Sequence, residues 1–158
     1  MKTKIGIALA AGVLIVAGSA FAIQQYIDWT HVAQRRAHAV QQLRDPDSVQ
    51  FRAEKLTRAG WLCGELNGKN AYGAYTGFKR FVSLGEYDAW IEGSGYAGKP
   101  GGQPTAQILA GIDAQIAVLK RHIEAKKKQP DLPTLSEQEA AALAEQEMFA
   151  ERWKKHCS

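Results

Sequence analysis

From Trp61 to Phe81 the chain reads WLCGELNGKNAYGAYTGFKRF, two apolar-rich runs on either side of Asn67-Gly68. Asn-Gly favours tight hairpins because both positions tolerate positive φ. The loop runs on through Lys69-Asn70-Ala71-Tyr72-Gly73, so the connection is longer than a two-residue turn. The spacing predicts strands over 61–67 and 74–83. Upstream, 51–57 alternates roughly, with Phe51, Ala53 and Leu56 inward, and reads as an earlier strand closed by a turn at Arg58-Ala59-Gly60. Downstream, 86–92 alternates through Tyr87, Ala89 and Ile91 and predicts a fourth strand. Short consecutive strands bounded by turn residues imply an antiparallel meander.

The flanks read as helices, which makes the fold class α+β. Residues 24–44 contain no Gly or Pro and place Tyr26, Trp29, Ala33, Val40 and Leu43 at helical steps. Asp45-Pro46 stops that helix, since the residue before a proline is pushed out of the helical region. Residues 93–104, rich in Gly and Pro, form a connector. A helix then starts near Thr105, and Leu109, Ile112, Ile116, Leu119 and Ile123 step 3, 4, 3, 4 along it as an apolar seam. This seam either packs within the chain or meets a partner helix, including one from a second copy. Lys126, Lys127 and Lys128 suit the negative end of that helix. Ser136 with Glu139 forms a capping box opening a last helix. Phe149, Trp153 and Cys157 recur every four residues there, a stripe predicted to dock on the sheet and bring Cys157 to Cys63. The organisation is therefore a leader (1–22), an N-terminal helix (23–44), a sheet core (45–92), the connector (93–104) and a helical segment (105–158).

The leader sets the compartment. Lys2 and Lys4 precede an uncharged run, 5–23, that ends in Ser19-Ala20-Phe21-Ala22. Small residues at Ala20 and Ala22 form the pattern cut by signal peptidase, and Gly18-Ser19 loosens the chain where a peptidase needs it extended. A retained membrane helix is the alternative, with the membrane contact that implies. Either way the basic end stays cytoplasmic and the body is exported, giving a protein that is periplasmic or anchored in the inner membrane. Lys+Arg number 20 against Asp+Glu 16; without Lys2 and Lys4 the balance is 18 against 16, or +2. The signs are interspersed, unlike the one-sided field of a nucleic-acid binder. Cys63 and Cys157 are the only cysteines, and in an oxidising compartment an even pair most simply forms one disulfide. The alternatives are a reactive thiol or a metal site using His156 beside Cys157.

Three runs carry a family resemblance: Asp45-Pro46-Asp47-Ser48-Val49-Gln50-Phe51, Cys63-Gly64-Glu65-Leu66-Asn67-Gly68-Lys69-Asn70, and Gly73-Ala74-Tyr75-Thr76-Gly77-Phe78 followed by Phe81. They resemble a hairpin domain of small exported proteins of proteobacteria and their phages or mobile elements. Those proteins share DPxSxxF, CGxVNxKNxxGGYxGF and a late cysteine. Leu66 stands for the Val and Ala74 for the second Gly. The resemblance covers 43–82 and Cys157, and implies export, an α+β fold and the disulfide. It implies no reaction.

Chemical motifs are near-misses. The run 64–70 is one residue short of a phosphate-binding loop and carries Asn70 where Ser or Thr would bind magnesium. Tyr72, Tyr75, Phe78, Lys79, Arg80 and Phe81 mix rings with cations but miss the order of an RNA-binding sheet. His31 and His38 share a helix face without a third ligand nearby. Neither a metal nor another cofactor is implied. Asn67, Lys69, Asn70 and Tyr72 form a polar loop suited to binding, or else to satisfying turn backbone groups. The expected role is that of a non-enzymatic cell-envelope protein acting through an envelope protein partner, with a homo-oligomer through 109–123 as one form. The rivals are an envelope enzyme acting on peptidoglycan, with Glu65 and Glu86 as its acids, and a phage or mobile-element factor modifying the host envelope.

Overall fold

The computed structural model describes residues 22, 25, 26 and 28–158, and the chain falls into two units, 1–34 and 35–158. The leader expectation lies outside the described residues apart from Ala22. Among the described residues, no helix is long and apolar enough to cross a membrane. In the first unit the described residues are helical, and Tyr26 and Trp29 are exposed.

Helix α1 (28–40) ends earlier than the predicted 44; residues 41–44 form turns that run into a 3-10 turn at Pro46–Ser48. Five strands follow: β1 (Gln50–Leu56), β2 (Leu62–Asn67), β3 (Lys79–Gly85), β4 (Asp88–Ile91) and β5 (Gly95–Tyr96). They pair with their sequence neighbours into one antiparallel sheet, the meander expected with one strand more. The extra strand lies in the predicted connector, where Ser94 N–H donates to Ile91 O at 3.0 Å and turns β4 back into β5. Helices α2 (Thr105–Lys128) and α3 (Glu137–Cys157) complete the chain. The capping box is present: Ser136 Oγ accepts from Glu139 N–H at 3.2 Å, and Glu139 Oε2 accepts from Ser136 N–H at 2.8 Å.

Each sheet face has its own cover. Cys63, Val82 and Trp90 stand opposite one another on one face and cluster with Phe149 and Cys157 of α3. Arg80, on the same face, lies 5.6 Å from the Phe149 ring centroid and 5.2 Å from that of Trp153. The aromatic stripe of α3 therefore docks as its spacing predicts. Leu62, Phe81, Ala89 and Ile91 are buried on the other face. Residues 35–40 of α1 are tied to that side: Arg36 pairs with Glu54 and lies over Phe51, and Arg35 donates to Gly60 O. Ala39 and Val40 are buried.

One inward residue of β1 is corrected. Ala53 is exposed, at φ 51, because the register slips between Arg52 and Lys55 in a bulge. The slip brings Glu54 over Gly64. A Cβ on Gly64 would sit 2.9 Å from Glu54 Cγ and 3.0 Å from Phe81 Cε1, so only glycine fits between the bulge and the ring. The β2–β3 boundary is corrected too. Strand β3 begins at Lys79 rather than Ala74, because Gly73 (φ 78) and Gly77 (φ 96) turn the chain out of the extended region.

Candidate functional site

The β2–β3 loop consumes its own polar groups. Asn67 is buried, 7% exposed, and its Oδ1 accepts from Gly77 N–H at 2.9 Å. Asn70 Oδ1 accepts from Tyr72 N–H at 2.9 Å and from Ala74 N–H at 3.1 Å. Lys69 Nζ sits 3.4 Å from Asp45 Oδ2 and 5.4 Å from the Tyr75 ring centroid. Tyr75 Oη donates to Ser48 O at 2.9 Å, and Arg44 donates to Ala71 O at 2.9 Å. Hydrogen bonding by Ser48, then the Lys69 ammonium, holds the Asp45 carboxyl below its usual range. The loop is thus fastened to the Asp45–Ser48 turn. Of the four loop residues expected to bind, Asn70 and Tyr72 are exposed, Tyr72 by 95%. The two halves of the sequence pattern meet: Phe51 packs edge-on against Phe81 at 5.5 Å, and Arg52 lies 3.7 Å over the Phe78 ring.

Cys63 and Cys157 form the disulfide, with Cα atoms 5.7 Å apart and 94 residues between them in sequence. Closing a loop of that length stabilises by up to about 4–5 kcal/mol in the chain-entropy model. It also removes Cys157 from the metal site considered beside His156, and no group of three or more His, Cys, Asp or Glu suited to a metal occurs among the described residues.

The seam on α2 is divided. Leu119 is half-buried and packs with Ala114 and Leu135 on the cluster of Val118, Ala140 and Ala144 that joins α2 to α3; Arg121 and Glu147, 2.7 Å apart, bridge the same helices. Leu109, Ile112, Ile116 and Ile123 are exposed, Ile112 by 48%, and Ile108 extends the strip. At 100° per residue these positions occupy one side of the cylinder, beside the α3 contact.

No protein-family model, curated protein or solved structure matches the chain.

The carboxylates imagined as an acid pair are apart. Glu65 stands opposite Arg80 near the start of β3, and Glu86 follows its last residue, Gly85. The strand from Arg80 to Gly85 spans about 17 Å at ~3.4 Å per residue, and Glu86 lies one residue beyond it, whereas carboxyls that cleave glycosides stand ~5–10 Å apart. Glu65 pairs with Arg52 at 2.5 Å and Glu86 with Lys99 at 3.0 Å; the Lys99 hydrogen bond lowers the Glu86 carboxyl from its usual range.

Sequence reasoning missed a cleft of about 520 Å³ where α2 and α3 meet the sheet, lined by Trp61, Asp88, Trp90, Gln107, Arg152 and His156 among others. The His156 ring stacks on Trp61 at 4.0 Å, and the Arg152 guanidinium lies 4.2 Å over Trp90. Burial, then Lys155 and Arg152, pushes the His156 imidazole below its usual value. Gln107 Nε2 donates to Asp88 at 3.2 Å. Asp88 and Glu151 on its walls offset Arg152 and Lys155, so the cleft selects neither charge. Its residues come from β4, α2, α3 and, in Trp61, the segment just before β2, and no local pattern links them.

Proposed function

We propose that this chain is a non-enzymatic binding module of the cell envelope, exported to the periplasmic side and acting through protein contacts made by α2. The observation that carries this reading is the exposed strip from Ile108 to Ile123 on a helix otherwise fixed by α3. A soluble chain that shows several large aliphatic side chains side by side gains free energy when another surface covers them. The disulfide supports export, because such bonds persist in oxidising compartments. The polar loop is fastened to the Asp45–Ser48 turn, and its most exposed side chain, Tyr72, is the alternative contact point.

Site-specific photo-crosslinking in intact cells tests the reading. A photoreactive residue in place of Ile116 is expected to give a discrete higher-mass adduct, and one in place of Tyr72 none. Adducts from Tyr72 alone, or from neither position, would overturn it.

A further inference from the structure

Resting on the reading that α2 is the contact surface, we infer that its occupant is the α2 of a second copy of this chain, lying antiparallel. The heptad steps decide the geometry. Leu109, Ile112, Ile116, Leu119 and Ile123 alternate by three and four, the repeat that keeps two helices in register along a shared seam. In an antiparallel pair, Ile112 of one copy faces Ile123 of the other, and Ile116 faces Leu119. Ile112, Ile116, Leu119 and Ile123 complement one another across a two-fold axis between Ile116 and the half-buried Leu119, while Leu109 lies level with Lys126 of the other copy.

Charge fixes the direction. Asp113 and Lys120 flank the exposed edge of the strip, both are exposed, and neither makes an ion pair with any described residue. In the antiparallel register just described, Asp113 of each copy lies beside Lys120 of the other, giving two opposite-charge pairs. In a parallel pair Asp113 meets Ile108 and Lys120 meets Gln115, and no opposite charges meet. Flanking charges of this kind set partner choice and orientation in paired helices. The other edge faces the chain itself: Gln115 lines a groove with Gln138 and Glu145 of α3, and His122 Nε2 lies 2.9 Å from Pro133 O. The second copy therefore approaches from the Asp113 and Lys120 side.

The test is sedimentation equilibrium on the chain expressed from Met1 and purified in the form the cell delivers, with the charge swaps D113K and K120D alone and together. The wild type is expected to dimerise. Each single swap places like charges at both pair positions and should weaken the dimer about tenfold. The double swap restores both pairs and should return the constant to within about threefold of wild type. Both positions are exposed, so the variants keep the fold, which circular dichroism checks. I116K should leave only monomer. A monomer at every concentration up to about 100 μM, a dimer indifferent to I116K, or single swaps that the double swap fails to rescue would each overturn the antiparallel pair. Binding of the monomer to anionic phospholipid vesicles through Ile116 would overturn it in favour of a lipid surface. A monomer whose Ile116 still crosslinks in cells to a different protein defeats this inference and leaves the wider reading standing; loss of both the dimer and the Ile116 adduct defeats both.

Discussion

Asn67 and Ile112 stand in contrasting places. The amide is 7% exposed with its oxygen bonded to Gly77, while the aliphatic side chain, on a well-formed helix, is 48% exposed. The difference comes from the backbone each one serves. The β2–β3 loop turns through Gly73 and Gly77, which leaves N–H groups without strand partners, and Asn67 and Asn70 supply the missing acceptors. Helix α2 satisfies its own backbone, so its side chains stay free for packing. One side of it is spent on α3 and the other faces solvent. The two regions teach that polarity does not tell which side chains are free; whether the local backbone has already claimed them does.

Substitutions test this difference, beginning with the bond that holds the helical layer to the sheet. Cys157→Ser should lower unfolding stability by about 3–5 kcal/mol, read as a lower urea midpoint; an unchanged midpoint would mean that packing of Phe149 and Trp153 alone holds α3. Asn67→Ala and Ile123→Ser are compared at protein concentrations low enough to keep the chain monomeric. The amide deletion leaves the Gly77 N–H without its acceptor and should cost about 1–2 kcal/mol. The serine on the exposed strip should change stability by less than about 0.5 kcal/mol. Equal losses would show that the strip is core.

The smallest effect is expected at His156. Its folded-state value lies below 6.5 through burial, then through Lys155 and Arg152, so the fold prefers the neutral ring. The unfolded chain then binds the proton more readily. Stability should hold above pH 6.5, fall as the pH drops from there to the folded-state value, and level off below it. His156→Gln should remove that step. Fluorescence of Trp61, which stacks on the ring, should titrate with a midpoint under 6.5; a midpoint above it would reverse the sign.

Much of this architecture is written in local pattern. The alternation around Phe51 and Ile91, the capping box at Ser136 and the four-residue recurrence of Phe149, Trp153 and Cys157 each express a period that the backbone imposes. An α+β meander with two terminal helices and one disulfide follows from them. The strand that starts late at Lys79 and the bulge at Ala53 were not legible, because each is settled by a partner far along the chain: Asn67 for Gly77, Gly64 for Glu54. The same reason governs the seam. A 3, 4 spacing specifies that one side of α2 is apolar, and says nothing of which neighbour meets it. Only the packing of Val118, Ala140 and Ala144 decided that α3 takes an adjacent side and leaves Ile112, Ile116 and Ile123 uncovered, since burial depends on which surfaces the whole chain brings together.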